Sequence, residues 1–174
     1  MNKKLFGSVK FVVMAMMAVV CVTFASCSSG NNDDDIPGGD YSAKVGVHRI
    51  DVKFSENAKK YNPILTFEAM KKDGSYSKLY EGTKELDTSS VYHVWTMKGA
   101  QDCSVRSEEN VASMVASVTI VAMTQVPEDV TVTLTAYINE KIVKTQEFRL
   151  PAGKSSITGA FMTNESGNEN PIIN

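Results

Sequence analysis

Residues Val130–Ile138 read VTVTLTAYI and show the clearest strand pattern in the chain. Apolar side chains alternate there with threonine and tyrosine, and β-branched residues dominate, which is typical of a strand with one buried face. Asn139-Glu140 follows, and a second run of similar character extends over Ile142–Leu150. Two turn-forming residues between two such runs predict a β-hairpin.

Similar short runs fill the rest of the chain body. They predict strands at Val45–Phe54, Ile64–Met70, Ser77–Tyr80, Val91–Met97 and Ile157–Met162. Asp73-Gly74 predicts a tight turn after the second of these, and a change of phase near His48–Arg49 predicts a β-bulge in the first.

Residues 107–123 allow two interpretations. Val111, Met114, Val115 and Val118 have helical spacing, and Ser107 could cap a helix. The same stretch also alternates, and its centre, residues 117–121, is mostly β-branched, which favours a strand at Val115–Thr124. Ser104–Ser113 would then be a polar crossover loop.

The pattern as a whole favours strands over helices. Seven or eight short strands separated by turns, with no convincing long helix, predict an all-β fold, an antiparallel two-sheet sandwich.

Charge and hydrophobicity divide the chain into two unlike parts. It has 174 residues and a net charge of −2, which gives no reason to expect a nucleic-acid binder. Residues 1–26 contain 18 hydrophobic residues, three lysines and no acid. The remainder keeps 15 basic against 20 acidic residues, a net charge of −5.

The first part reads as an export signal. Lys3 and Lys4 precede the uncharged run Phe11–Val22, which is too short for a membrane span of about 20 residues. Phe24-Ala25-Ser26-Cys27 follows and resembles a bacterial lipobox. The resemblance implies cleavage between Ser26 and Cys27, with a diacylglycerol thioether on Cys27; an ordinary secretory signal is the alternative.

The next stretch is polar and contains the acidic cluster Asp33-Asp34-Asp35. It has too few apolar side chains to form a core, which predicts a flexible tether. The cluster resembles the export signal of Bacteroidota-type lipoproteins, which implies display on the outer face of the outer membrane. A plain solvated linker remains the alternative.

These observations predict four parts of the chain. They are a signal peptide at 1–26, a lipidated cysteine and acidic linker at 27–40, a β-sandwich domain at 41–165 and a flexible tail at 166–174. The run from Glu128 to Gly153 resembles a hairpin of immunoglobulin-like modules in bacterial surface proteins, which implies an immunoglobulin-like sandwich and assigns no site.

Few residues suggest chemistry. Cys103 has no partner if Cys27 is lipidated, and it reads as a semi-buried thiol. His48 and His93, with Asp51 or Glu68, lack the spacing of a zinc site. No nucleophile elbow, phosphate loop or dinucleotide motif is present. We therefore expect no enzyme activity, no metal and no cofactor.

Aromatic residues offer the remaining candidates for ligand contact. Tyr76 and Tyr80 are four residues apart near a hairpin, so in a strand they would face the same side. They could be exposed together, or could simply pack at a sheet edge. Tyr92 and Trp95 have opposite parity, which predicts a rim position for Tyr92 and a core position for Trp95.

Three functions fit the sequence. The first is a lipid-anchored, non-catalytic surface module that acts in binding, adhesion or assembly, with a surface protein or glycan as partner. The alternative is a glycan-binding accessory lipoprotein of a polysaccharide-uptake system. The third is a small hydrolase with an unrecognised site.

Overall fold

The computed structural model describes residues 44–91, 93–164 and 172–173. Within them the chain forms a 3-10 helix, Glu56–Lys60, and eleven strands. The strands are β1 (His48–Phe54), β2 (Ile64–Lys71), β3 (Leu79–Glu81), β4 (Lys84–Glu85), β5 (Trp95–Lys98), β6 (Cys103–Ser107), β7 (Val111–Val121), β8 (Val130–Ile138), β9 (Lys141–Leu150), β10 (Ser156–Met162) and β11 (Ile172–Ile173). In this part of the chain no helix has the length and apolar character needed to cross a membrane.

The strands make two antiparallel sheets. The six-stranded sheet has the order β4-β3-β6-β1-β8-β9, and the five-stranded sheet has the order β11-β10-β7-β2-β5. Apolar side chains of both sheets are fully buried, among them Ile50, Phe67, Leu134, Phe148 and Phe161. The predicted all-β, two-sheet sandwich is therefore confirmed.

The hairpin predicted from residues 130–150 is confirmed. Along β8 every second side chain is buried, and the threonines and Tyr137 between them are half-buried. Asn139 and Glu140 have φ values of 48° and 63°, which are the left-handed values that a tight hairpin turn requires. A register shift opposite Ala136/Tyr137 adds a bulge to β9.

Residues 107–123 contain the strand β7 (Val111–Val121) and no helix, so the helical interpretation is wrong. β7 lies between β10 and β2, and its outward residues Val115, Ser117 and Thr119 are nearly as buried as its inward ones. A strand buried on both faces has no clear apolar and polar alternation, which is why its sequence was ambiguous.

The predicted crossover loop at Ser104–Ser113 is also wrong, because this stretch contains β6 and the start of β7. Ser107 takes an inward position and is fully buried. Its hydroxyl oxygen accepts a hydrogen bond from the His48 backbone N–H at 2.9 Å, and the hydroxyl donates to the Glu108 carbonyl at 2.8 Å. These bonds let a polar residue occupy a core position, which hid the strand pattern.

Two further strand predictions need correction. The register of β1 against β8 runs without a shift from His48 to Phe54, so the bulge predicted near His48–Arg49 is absent. The strand predicted at Val91–Met97 begins only at Trp95, because the backbone turns at His93, whose φ is 53°. Short strands such as β4 carry no periodic pattern, which is why eleven strands are present where seven or eight were predicted.

Several predicted features lie outside the described residues. They are the signal peptide, the cleavage site at Ser26 and Cys27, the acidic residues Asp33, Asp34 and Asp35, the aromatic Tyr92, and most of the tail at 166–174.

Candidate functional site

The most unusual surface feature is a row of two arginines flanked by two tyrosines across the six-stranded sheet. Tyr80 on β3 is the register partner of Arg106 on β6, Arg106 is the partner of Arg49 on β1, and Arg49 is the partner of Tyr137 on β8. We call these four residues the tyrosine–arginine row. It crosses three strand spacings, or about 14 Å.

Each arginine of the row lies over the tyrosine beside it. The guanidinium carbon of Arg49 is 3.9 Å from the ring centroid of Tyr137, and that of Arg106 is 4.6 Å from the ring centroid of Tyr80. Such cation–π contacts hold the planar guanidinium groups in fixed orientations. All four side chains are half-buried, on the outward side of strands whose alternate residues are in the core.

The charge of Arg49 is compensated. Its Nε lies 3.2 Å from Asp51 Oδ1 and its terminal nitrogen lies 2.6 Å from Glu140 Oε2. Asp51 in turn accepts a hydrogen bond of 2.5 Å from the Ser104 hydroxyl. Arg49 is therefore held on three sides, by two carboxylates and one ring.

Arg106 has different partners. Its Nε donates to the Gly82 carbonyl at 3.1 Å, and a terminal nitrogen donates to the Ser107 carbonyl at 3.4 Å. Among the described residues no carboxylate forms an ion pair with Arg106. The row therefore carries one guanidinium whose charge is not neutralised by a described acid.

The structure separates the two tyrosines predicted to be exposed together. Tyr80 belongs to the six-stranded sheet and to the row. Tyr76 forms a bridge with Met70 of β2, in the five-stranded sheet, and its ring stacks on His93 with the centroids 4.4 Å apart. The row therefore uses Tyr137, rather than Tyr76, as its second aromatic.

Cys103 lies at the start of β6, half-buried and free, as predicted. Burial raises the pKa of its thiol to about 12, with smaller contributions from the nearby carboxylates of Glu81, Asp102 and Asp51. At neutral pH the reactive thiolate is therefore essentially absent.

The two histidines have separate partners. His48 is fully buried; its Nε2 donates to the Lys44 carbonyl at 3.0 Å, and its Nδ1 lies 2.6 Å from the Thr163 hydroxyl. Burial lowers the pKa of His48, so its ring is neutral at neutral pH. Among the described residues no three His, Cys, Asp or Glu side chains are grouped as metal ligands would be.

Glu68 is a buried acid on the five-stranded sheet. It points away from Phe67 and Ala69, which face the core, yet its exposure is only 6%. Desolvation by burial raises its pKa to about 7. No described cation forms an ion pair with it. Burial away from water therefore favours the protonated form of the carboxyl group, with no nearby positive charge to oppose this.

Residues 44–47 link the two sheets. Gly46 exchanges two backbone hydrogen bonds of 3.0 Å with Val111 of the five-stranded sheet. Val47 donates to Asn139 Oδ1 at 2.9 Å and accepts from the Asn139 N–H at 2.9 Å, at the hairpin turn of the six-stranded sheet. A shallow cleft of about 380 Å³ lies beside this contact, lined by Lys44, Val45, Ile138, Asn139, Lys141 and Val143.

The edge strand β9 is long, but it is guarded against pairing with another strand. Its bulge interrupts the regular edge, and Lys144, opposite core residue Ala136, places its ammonium group 5.2 Å from the buried Phe161 ring. Bulges and inward-pointing charges are devices that discourage edge-to-edge association. The exposed Ile142 and Val143 are confined to one end of the strand.

Solved structures similar to this chain come from Bacteroides and Parabacteroides species. One is a domain of unknown function, DUF4425, from Bacteroides vulgatus, with a TM-score of 0.57 and 16% identity, over 68% of this chain and 94% of that one. A second is a DUF4425 family protein from Bacteroides ovatus, with a TM-score of 0.57 and 21% identity, over 72% of this chain and 99% of that one.

A third is the calcium-bound form of a protein from Parabacteroides distasonis, with a TM-score of 0.52 and 15% identity, over 75% of this chain and 99% of that one. No family model matches the chain, and no curated protein matches it. At these identities the likeness shows a shared fold, which is the all-β sandwich described above.

Proposed function

We propose that this protein is a lipoprotein anchored through Cys27 in the outer membrane and facing the cell exterior, with a non-catalytic sandwich that binds a surface partner. The tyrosine–arginine row carries the binding part of the proposal, because it is a preorganised polar and aromatic surface. The lipobox and the acidic tract of the sequence support the anchor. The origin of the similar structures, in Bacteroides and Parabacteroides, agrees with the resemblance to Bacteroidota-type export signals.

Binding is favoured over catalysis by the groups present. A catalytic site needs a pocket with convergent titratable groups. The cleft beside residues 44–47 offers two lysines and an amide among apolar side chains, and the Cys103 thiol is held in its protonated form. Neither the cleft nor the thiol supports the hydrolase hypothesis.

Face binding is favoured over assembly by strand addition. Strand addition needs an edge with free backbone groups and pockets for alternate side chains. The guarded edge of β9 argues against that mode. The resemblance of the run from Glu128 to Gly153 to a hairpin of immunoglobulin-like modules in bacterial surface proteins also supports binding through a face or loops.

Glycan binding by an accessory lipoprotein is the second candidate. It requires two or more aromatic side chains on one face, and Tyr80 and Tyr137 share the outer face of the six-stranded sheet. This observation favours the glycan candidate over the hydrolase.

The anchor is tested by replacing Cys27. We expect Cys27→Ala to move the protein from the membrane pellet to the soluble fraction, because two acyl chains make a stable anchor and none remains without the thiol. Fractionation of cell membranes followed by immunoblotting measures this. Retention of Cys27→Ala in carbonate-washed membranes would contradict the anchor.

The binding face is tested by photocrosslinking on intact cells. Lys53 and Lys98 are exposed lysines on the outer faces of the six-stranded and five-stranded sheets, respectively, so they form a matched pair. With a benzophenone amino acid at each position in turn, we expect a crosslinked product from position 53 and none from position 98. Products from position 98 alone, or from neither, would refute binding through the six-stranded sheet.

A further inference from the structure

The chemistry of the row indicates what kind of ligand it accepts. Arg106 uses two nitrogens on backbone carbonyls and keeps further N–H donors of its planar guanidinium for other acceptors. A guanidinium with paired N–H donors matches the geometry of a carboxylate or sulfate group. The cation–π contact with Tyr80 holds that donor group in place before a ligand arrives.

The neighbouring arginine strengthens the preference for an anion. Arg49 and Arg106 are register partners on adjacent strands, with Cα atoms about 5 Å apart. Like charges directly opposite each other in a sheet are unfavourable. The two carboxylates beside Arg49 neutralise its positive charge. A bound anion would neutralise the charge of Arg106 in the same way.

The surroundings of the row favour a polysaccharide over a protein partner. The outward residue of β8 next to the row is Thr135, which accepts a hydrogen bond of 3.3 Å from Thr145 of β9. The fully buried centre of a stable protein interface is more apolar than the rest of the protein surface. This face offers hydroxyl groups and charges around its centre, and its exposed apolar Ile142 lies at the end of the row.

We propose that the tyrosine–arginine row binds an anionic polysaccharide, with a carboxylate or sulfate group on Arg106 and the sugar chain running along the row. This inference rests on the proposed binding function and deepens it by naming the ligand class. Arg106 supplies the charged contact, Tyr80 holds the Arg106 guanidinium in place, and the hydroxyls of Thr135 and Thr145 supply hydrogen bonds to sugar oxygens.

The test is a titration of the full-length lipidated protein in detergent micelles. The probes are polygalacturonate, which carries carboxylates, chondroitin sulfate, which carries both groups, and neutral pullulan. We expect binding of at least one anionic probe and none of pullulan. Loss of affinity for the anionic probe with added salt is also expected, because the contact is partly exposed. Equal affinity for pullulan, or no affinity for either anionic probe, would overturn the assignment.

Variants then locate the contact. We expect Arg106→Gln to weaken binding about tenfold or more, since a charge-assisted paired hydrogen bond is lost. The matched control Lys98→Gln removes the same charge from the other sheet and should leave the affinity unchanged. Arg106→Lys keeps the charge without the planar fork and should lie between the two, which also covers the case in which Arg106→Gln does not fold. Unchanged affinity in Arg106→Gln and Arg106→Lys would refute the site.

The two proposals fail in different ways. Crosslinking at position 53 on cells, together with no affinity for either anionic probe, would remove the ligand assignment and leave the binding face standing. Absence of crosslinking at position 53 would remove the binding face itself.

Discussion

Replacing Glu68 by glutamine should change how the stability of the protein depends on pH. Between pH 4.5 and about pH 8, the free energy of unfolding of Glu68→Gln, relative to the unmodified protein, should rise by roughly 3 kcal/mol. The reason is that desolvation raises the pKa of Glu68 from 4.5 to about 7 in the folded state. Above pH 7 the buried Glu68 carboxylate is therefore charged in the folded protein, and no described residue forms an ion pair with it.

The sign follows from proton binding. At pH values between 4.5 and about 7 the unfolded chain has lost the Glu68 proton while the folded chain retains it. Stability therefore falls as pH rises through this window, and the loss is complete above pH 7. A glutamine at the same position cannot ionise, so the variant escapes this loss.

Urea unfolding at a series of pH values measures the effect. Glu147→Gln, which removes a carboxylate from an exposed position of β9, is the matched control. Its free energy of unfolding relative to the unmodified protein should not rise in this way with pH. A constant difference between Glu68→Gln and the unmodified protein across the whole range would contradict the burial of a protonated Glu68.

His48 contributes in the opposite direction and must be separated from Glu68. Burial lowers the pKa of His48 below 6.5, so the unfolded chain takes up this proton first as pH falls below 6.5. Stability from this group therefore decreases toward acid pH. Because His48 is present in all three proteins, its contribution cancels in the comparison of the Glu68 and Glu147 variants.

Replacing Gly46 by alanine should destabilise the protein by about 2 kcal/mol, the usual cost of forcing extra atoms into a packed contact. A Cβ atom at this position would lie 2.3 Å from Asn139 Oδ1. The Asn139 side chain would have to move, and its hydrogen bond from the Val47 N–H would be lost. The segment that joins both sheets would then keep only the backbone hydrogen bond from the Asn139 N–H to the Val47 carbonyl at the hairpin turn.

A double-mutant cycle identifies the cause. Asn139→Gly removes the opposing side chain and tolerates the φ of 48° at this turn. In that background we expect Gly46→Ala to cost less than about 0.5 kcal/mol, because nothing remains to collide with. Equal costs in both backgrounds, measured by thermal unfolding, would show that the Asn139 contact is not responsible.

The sequence predicted those elements whose two faces differ. β8 and β9 were located correctly because one face of the hairpin is buried and the other is polar. β6 was missed because the buried Ser107 satisfies its hydroxyl through hydrogen bonds, which no periodic pattern reveals. β7 was ambiguous because its outward residues are buried as well.

The row could be predicted only in part. Tyr80 was a candidate from its parity, and parity also places Arg49 and Tyr137 on outward positions of their strands. The register that joins these residues to Arg106 depends on how β3, β6, β1 and β8 are ordered in the sheet. That order brings together residues far apart in the chain, and alternation within single strands does not specify it.

We propose that the outer face of the six-stranded sheet binds the partner. The most direct test is an NMR titration of the full-length protein in micelles with the anionic probe that it binds, polygalacturonate or chondroitin sulfate, following backbone amides. We expect the largest shift changes at Tyr80, Arg106, Arg49 and Tyr137 and their sheet neighbours. Largest changes on the outward residues of the five-stranded sheet, such as Thr66, Thr96 and Lys98, would contradict it.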